Sequence, residues 1–294
     1  METPPEGGVS DFVVKWILMA RNIRAAFTLV ELLMVIAIIG LLSTVAVVAT
    51  SSTRSKAQLV ASQDFEASVQ RGVGADMIGE WLFDETSGTA AADTSGNGHN
   101  GTIAGATRVS GVSGNALSFV PGSYVSLGND ASLDPLNFTI TAWVKPGDFS
   151  GPYNYIYSNA RDCCGSYNGI NFVISNYLLV GGIWNVAGGW PGGSQGVSSN
   201  ARITNSASWT FVAFTFNGSK LALYINGHQD NTANSNYPVG QPASGSTYIG
   251  AMGVIPSLGM NGSIDQVRLY GSAIVAEGIR GIYLAERDKY LAER

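Results

Sequence analysis

The sequence predicts a mainly β protein: a closed or two-sheet all-β domain carried on a long N-terminal helix that spans a membrane. Three observations predict this. An apolar run of about 23 residues extends from Phe27 to Ala49, long enough to cross a bilayer. Apolar and polar residues alternate with a period of two in many short segments between residues 78 and 270. Charged residues are only 13% of the chain and glycine provides 37 of 294 residues, which suits a β-rich exported domain with many tight turns.

The apolar N-terminal run is interrupted by a single acidic residue. Lys15, Arg21 and Arg24 precede the run, and by the positive-inside rule they keep the N-terminus cytoplasmic and send the remaining chain outward. Glu31 lies within the run. A carboxylate inside a membrane helix costs roughly 2.5–3.5 kcal/mol, so Glu31 is predicted to be functional.

The segment RNIRAAFTLVELLMVIAIIGLL, residues 21–42, resembles the signal and first helix of type IV pilins and of the pseudopilins of type II secretion. The resemblance implies that a prepilin peptidase cuts between Ala26 and Phe27 and methylates the new amine. It also implies that the helix packs in a filament core, where Glu31 pairs with the N-terminal amine of a neighbouring subunit. Ala26 departs from the glycine that the family prefers before the cut. The alternative is a plain signal anchor that never polymerises.

The helix is predicted to continue past the membrane and to end before the sandwich. After the span, apolar residues recur every four positions, at Ala57, Ala61, Phe65 and Val69. Gly72 and Gly74 then break the pattern. A start at Met19 instead of Met1 would give a shorter, basic leader. The predicted organisation is a leader (1–26), a helix (27–74, with the span at 27–49 and an amphipathic continuation at 50–70), a sandwich (75–284) and a tail (285–294).

The sandwich is predicted from short strands separated by turns. Phe138, Ile140, Ala142 and Val144 alternate with more polar neighbours, which indicates a strand with one buried face. Segments 209–216 and 220–227 flank an Asn-Gly-Ser turn, the strongest hairpin signal in the chain. Further strands are predicted at 78–83, 116–120, 170–175, 177–184, 247–251 and 263–270. A helix is predicted from about Ala273, where YLAER occurs twice.

Three segments are together similar to the laminin-G-like members of the concanavalin A-like lectin/glucanase superfamily. They are GEWLFDETSGTAAADTSGNGHNGTI (79–103), GNALSFVPGSYVSLGNDASLDPLNFTITAWVKP (114–146) and MNGSIDQVRLYGSAIVAEGIRGIY (260–283). The resemblance covers residues 76–284. It implies a jelly-roll sandwich of two antiparallel sheets whose first and last strands are adjacent, with the ligand surface in the divergent region 147–205.

The loop DTSGNGHN, residues 93–100, is dense in oxygen ligands of the kind that calcium favours. The superfamily resemblance implies a structural calcium between this loop and the aspartate of the closing motif. The predicted ligands are Asp93, Asn97 and Asp265. The alternative is a turn whose side chains bond only their own backbone.

Aromatic residues mixed with asparagine and glycine occur in the divergent region, and such a mixture suits stacking on sugar rings or contact with proteins. The predicted ligand-binding residues are Tyr153, Tyr155, Tyr167, Trp184 and Trp190. The alternative is that most of them are core or sheet-facing side chains. Trp81, Trp143 and Trp209 are assigned to the core.

Several functions are disfavoured by the composition. Glycoside hydrolysis needs two closely spaced carboxyl groups, and the glutamates of the sandwich lie near its two ends, so no catalytic residues are predicted. The net charge is −5 without a basic cluster, which argues against nucleic acid. Two histidines and one adjacent cysteine pair exclude a zinc site. Cys163 and Cys164 could form a strained disulfide, bridge two molecules or stay free.

The sequence therefore predicts a type IV pilin-like filament subunit whose head adheres to a glycan or a surface protein. Its expected partners are a prepilin peptidase, other pilin or pseudopilin subunits, the membrane and that ligand. The expected location is the bacterial inner membrane before assembly and then the cell surface or an extracellular filament. One rival is a pseudopilin of a secretion system with the sandwich as a spacer or cargo contact, and another is a membrane-tethered glycoside hydrolase.

Overall fold

The computed structural model describes residues 28–40, 74, 76–147, 153–163, 166–185, 194–204, 207–240, 245–252 and 255–292. The chain divides into two compact units, Met1–Gln63 and Asp64–Arg294, and the second is called the head below. In the first unit, residues 29–40 are helical. The predictions for Ala26, Phe27 and the amphipathic continuation lie outside the described residues. Within the described ranges, no helix has both the length and the apolar character needed to cross a membrane.

The head is a sandwich of antiparallel strands, as predicted. In chain order the strands are β1 (Met77–Trp81), β2 (Ala90–Ala91), β3 (Gly101–Ala104), β4 (Thr107–Ser110), β5 (Asn115–Phe119), β6 (Tyr124–Gly128), β7 (Phe138–Pro146), β8 (Asn154–Ser158), β9 (Arg161–Cys163), β10 (Ser166–Ser175), β11 (Leu178–Trp184), β12 (Ser194–Arg202), β13 (Thr210–Phe216), β14 (Lys220–Ile225), β15 (His228–Asn234), β16 (Thr247–Ile249), β17 (Ala251–Met252), β18 (Ile255–Gly259) and β19 (Gly262–Tyr270). A short 3-10 helix spans Ala131–Leu133, and an α-helix spans Ala276–Ala292.

Two large sheets face each other across the core. The first sheet has the order β15-β14-β13-β7-β19-β5-β4, with β1 paired to β19. The second has the order β12-β11-β10-β8-β16-β6-β3-β2, with β9 paired to β10. The pairing of β1 with β19 confirms the expectation that the first and last strands are adjacent. Strands β17 and β18 form a separate small sheet.

The alternation of apolar residues in β7 correctly predicts which of its side chains lie in the core. On β7, Phe138, Ile140, Ala142 and Val144 are fully buried between the sheets. The intervening Trp143 belongs to a second apolar cluster on the outer face of the first sheet. The Asn-Gly-Ser hairpin is also confirmed, because β13 and β14 pair across it in register. The Asn217 side chain closes that turn by accepting the backbone N–H of Lys220 at 2.8 Å.

The C-terminal helix Ala276–Ala292 packs on the outer face of the first sheet. Its Ile279 and Ile282 join Trp143, Phe211 and Tyr270 in the second apolar cluster. The helix continues past the predicted domain boundary at residue 284, and Glu286 accepts a hydrogen bond from Trp143 Nε1. Residues 285–292 are therefore part of the head and not a separate tail. Trp81 and Trp143 are buried as predicted, whereas Trp209 is only partly buried against the same cluster.

Candidate functional site

One line of residues crosses the outer face of the second sheet in register. Cross-strand pairing connects, strand by strand, Gly196, Gly182, Asn171, Ser158, Tyr248, Ser126 and Thr102. Their chain neighbours on the opposite face, such as Ile183 and Phe172, belong to the core. Because residues directly opposite each other share a face, the line forms one transverse stripe, called the polar row below.

Trp184 stands on the same face as the polar row, two residues from Gly182 on β11. With the Asn171 amide oriented so that its oxygen faces the indole, Asn171 Oδ1 accepts from Trp184 Nε1 at 2.8 Å. The amide nitrogen then donates to Ser158 Oγ at 2.7 Å. The half-buried indole is thus fixed by a polar bridge over three strands, which leaves less side-chain entropy to lose when a ligand binds.

Two glycines leave space beside this indole. A Cβ atom at Gly182 would lie 3.9 Å from Trp184 Nε1, and one at Gly196 would lie 3.3 Å from Gly181 O. The absence of side chains at both positions makes a shelf of backbone next to Trp184. A flat shelf bordered by an aromatic ring suits the face of a sugar ring.

The other predicted ligand-binding residues have different positions. The Tyr153 side chain is 46% exposed, and its ring lies 6.2 Å from that of Tyr155. The prediction for Tyr155 is corrected: it is only 6% exposed, packs with Val173 and Met252, and donates its hydroxyl to Met252 Sδ. It can support Tyr153 but cannot present a face to a ligand. The Tyr167 side chain and Trp190 lie outside the described residues.

Two tyrosines on this face were not predicted. Tyr248 belongs to the polar row, and its ring meets that of Tyr124 edge to face at 5.4 Å between centroids. Both are partly exposed. The signal that could have found them is the alternation in YVSLG and TYI, where each tyrosine neighbours a core residue, Val125 or Ile249.

The side chains of the predicted calcium loop form hydrogen bonds within the loop and to β1. The Asp93 carboxylate has no exposed surface and accepts backbone N–H groups from Glu80, Ser95 and His99 at 2.9–3.0 Å. Burial opposes the charge, but these hydrogen bonds prevail and lower the pKa of Asp93. Asn97 donates its amide to the carbonyls of Met77 and Ile78. The loop is therefore bonded both to itself and to β1, which contains Met77, Ile78 and Glu80.

Asp265 has a separate set of partners. Its two carboxylate oxygens accept the backbone N–H groups of Val112 and Gln266, each at 2.7 Å. A Cβ atom at Gly111 would lie 2.4 Å from Asp265 Oδ2, and one at Gly114 would lie 2.0 Å from Asp84 Oδ1. Only glycine therefore fits where these carboxylates meet the turn of residues 111–115. Burial raises the pKa of Asp265 to about 7, and the charge of Asp84 adds to the rise.

The three predicted calcium ligands, Asp93, Asn97 and Asp265, each have protein hydrogen-bonding partners in this arrangement. Asp93 and Asp265 share no hydrogen-bonding partner among the described contacts, and each carboxylate accepts backbone N–H groups. Over the described ranges, no group of three or more His, Cys, Asp and Glu side chains is placed to hold a metal ion. Calcium at Asp93, Asn97 and Asp265 stays a prediction, and no functional step below depends on it.

Glu31 takes part in a capping box at the start of its helix. Its carboxylate accepts the backbone N–H and the hydroxyl of Thr28 at 3.0 and 2.9 Å. In return, the Glu31 N–H donates to Thr28 Oγ1 at 3.3 Å. These bonds satisfy donors that a helix N-terminus otherwise leaves unpaired. This capping role was not predicted, although Thr-x-x-Glu is its usual sequence signature.

Solved structures of the same fold were found by comparison. Domain 4 of AbnA, a GH43 extracellular arabinanase from Geobacillus stearothermophilus in complex with arabinotriose, matches with a TM-score of 0.55 and 19% identity over 71% of this chain and 98% of that one. The botulinum neurotoxin serotype D binding domain matches with a TM-score of 0.54 and 17% identity over 74% of this chain. Trypanosoma rangeli sialidase in complex with sialic acid matches with a TM-score of 0.51 and 15% identity over 72% of this chain.

The present chain covers 53% of the neurotoxin chain and 33% of the sialidase chain. At these identities the likeness shows the fold alone. No curated protein matches the sequence significantly.

The two large sheets form a sandwich of the concanavalin A-like type, and the same chain carries an N-terminal methylation motif. The chain belongs to the concanavalin A-like lectin/glucanases superfamily, whose family model matches residues 120–280, more than half of the sequence. Residues 21–47 match the model of the prokaryotic N-terminal methylation motif, which is the type IV pilin signal. Both resemblances noted in the sequence are confirmed.

Proposed function

We propose that the protein is a type IV pilin-like subunit that displays a lectin-like head on a surface filament. The observation that supports this is the combination in one chain of the methylation motif at 21–47 and the lectin-like family match at 120–280. The motif implies processing by a prepilin peptidase and assembly with other pilins. The subunit would enter the inner membrane first and then present its head at the cell surface.

We further propose that the head binds a glycan at the polar row. The fixed indole of Trp184 offers an apolar ring face, and the accessible hydroxyls of Ser126, Tyr248 and Thr102 are of the kind that bond to sugar hydroxyls. Asn171 and Ser158 are buried, and they hold the indole in place. None of the seven residues of the row is Asp or Glu, whereas glycoside hydrolysis uses two carboxyl groups. The row therefore supports binding without hydrolysis as its function.

Replacing Trp184 by alanine should weaken glycan binding at least tenfold, because stacking and the Asn171 bridge are both lost. A tenfold loss corresponds to about 1.4 kcal/mol. The measurement is a printed glycan array probed with the detergent-solubilised full chain, followed by titration of the best ligand. Tyr177→Ala is the matched control, since Tyr177 is an exposed aromatic residue just before the opposite end of β11. Equal binding by wild type and Trp184→Ala would rule out the polar row as the site.

Replacing Glu31 separates the capping role from the assembly role. Glutamine can still complete a capping box, but it carries no charge to pair with a neighbouring subunit's N-terminal amine. Glu31→Gln and Glu31→Ala are both expected to reduce entry into filaments at least tenfold. Thr28→Ala, which removes the capping partner, should assemble nearly as well as wild type.

The assay co-expresses each variant with wild type and quantifies both chains in sheared filaments by mass spectrometry, which also detects the N-methylated Phe27 peptide. Normal incorporation of Glu31→Gln would show that capping alone explains this residue. Filaments that still contain the leader attached to Phe27 would contradict the pilin-like proposal itself.

A further inference from the structure

A groove of about 440 Å³ lies on the outer face of the first sheet, at the opposite side of the sandwich from the polar row. Its lining comes from β4, β5, β7, β19 and the connections next to them, and includes no residue of the C-terminal helix. The helix covers one part of this face through Trp143, Phe211 and Tyr270. The groove occupies a neighbouring part of the same face.

The floor of the groove is set by strand register. Ser118 on β5 is opposite Ser263 on β19, which is opposite Lys145 on β7. Their neighbours Leu117, Ile264 and Val144 form an equivalent line that is fully buried in the core. Because side chains alternate along a strand, Ser118, Ser263 and Lys145 must all face outward. All three are partly exposed, so they are accessible from the groove.

The walls of the groove are apolar. Trp209 immediately precedes Thr210, which is opposite Val144, so the indole stands at the Lys145 end of the floor. Val109 and Val120, which are 37% and 57% exposed, line another part of the groove. An indole beside hydroxyl groups is the combination that holds a sugar ring by stacking and hydrogen bonds.

The charge of the lining selects the kind of sugar. Lys145 is cationic, and none of the twelve lining residues is Asp or Glu, although the chain as a whole carries a net charge of −5. Ser110 and Asn261 add further neutral polar groups. A ligand carboxylate near Lys145 would gain a charge-assisted hydrogen bond without meeting a negative group in the lining.

We propose that this groove is a second ligand site, specific for a carboxylated sugar unit such as the uronate of an acidic polysaccharide. The ring stacks on Trp209, its hydroxyls bond to Ser118 and Ser263, and its carboxylate binds Lys145. The site lies on the other sheet from the polar row. It therefore goes beyond the proposed glycan site and does not depend on it.

The test uses the detergent-solubilised full chain and two matched probes, trigalacturonate and its fully methyl-esterified form, titrated by calorimetry at low salt. Low salt is needed because ions screen an exposed charge pair. Wild type should bind the acid at least tenfold more tightly than the ester. Lys145→Gln should remove that preference, whereas Ser263→Ala should weaken both probes several-fold and equally, since one neutral hydrogen bond contributes about 1 kcal/mol. Trp184→Ala should change neither affinity.

Circular dichroism and melting of each variant confirm that it is folded. The proposal is overturned if wild type shows no saturable binding of the acid in the millimolar range, or if Lys145→Gln keeps the preference. If Trp184→Ala abolishes binding and Lys145→Gln does not, the probe binds at the polar row. That outcome would support the proposed function and reject the groove.

Discussion

Replacing Arg268 by alanine is expected to lower the free energy of unfolding of the head by about 3–5 kcal/mol, the usual cost of removing one partner from a buried ion pair. Arg268 donates to Glu80 at 2.7 Å and also pairs with Glu286 of the C-terminal helix. The three side chains are 12%, 19% and 10% exposed. Alanine would leave two carboxylates in a poorly solvated site without their cation.

The charged form of the Arg268 guanidinium is favoured at this site. Burial opposes the charge of Arg268, but Glu286 and Glu80 outweigh it and raise the pKa of the guanidinium. Because Glu286 also accepts from Trp143 Nε1, the network joins the last helix to β7, β19 and β1. Loss of Arg268 should therefore loosen the helix first, and the fluorescence of Trp143 should report it.

The measurement is urea unfolding of the head, residues 64–294, followed by tryptophan fluorescence. Arg287→Ala is the matched control on the same helix. It breaks an exposed pair with Asp288, and such solvent-screened pairs contribute little to stability. A triple variant with Arg268→Met, Glu80→Gln and Glu286→Gln should recover most of the stability, because no charge is then left buried. A loss below 1 kcal/mol for Arg268→Ala would contradict the buried network.

The parts of the fold that follow from local rules could be predicted. Strand β7 alternates with a period of two, and Asn217-Gly218 sets the β13–β14 hairpin, so both agree with the sequence. Strand β8 does not follow this rule, because its pairing with β10 shifts register between Phe172 and Val173. All five residues of β8 are buried, because β17 and β18 also pack against its outer face, where Tyr155 meets Met252. A register shift depends on the neighbouring strand, and alternation within β8 cannot reveal it.

The candidate site was predictable to a similar extent. Trp184 was found because aromatic and amide residues cluster near it in the sequence. Its bridge to Asn171 and Ser158 depends on the pairing of three strands. Asp93 and Asp265 were grouped because both occur in motifs of the family. Each carboxylate accepts one backbone N–H group from one or two positions along the chain, and another from a distant part of the chain that no sequence spacing specifies.

Asp265 should make the head less stable as the pH rises, and Asp265→Asn should remove this effect. Its pKa is about 7 in the folded head, above its ordinary value of 3.8, because burial disfavours the charge. The neutral form is therefore favoured by folding. The associated stability is complete below pH 3.8 and is lost as the pH rises toward 7. At about 1.4 kcal/mol per pH unit, wild type should lose about 3 kcal/mol relative to Asp265→Asn between pH 5 and pH 8.

The experiment compares urea unfolding of the two proteins in EDTA across that range, because the difference between them isolates the one carboxylate. Asp93→Asn is the contrasting control. The pKa of Asp93 is lowered, so its contribution is present at neutral pH and lost as the pH falls through its folded value. A wild-type curve parallel to that of Asp265→Asn would show that Asp265 is not buried as described.

The calcium prediction adds a second expectation to the same experiment, because a bound divalent cation would favour the ionised carboxylate and remove the loss of stability with rising pH. Under that prediction, wild type in 5 mM calcium should keep its stability between pH 5 and pH 8, and Asp265→Asn should not respond to the metal. An identical pH dependence of stability in calcium and in EDTA would contradict the prediction of a calcium site at Asp265. Asp265 would then remain a carboxylate that stabilises the turn at residues 111–115 only while it is protonated.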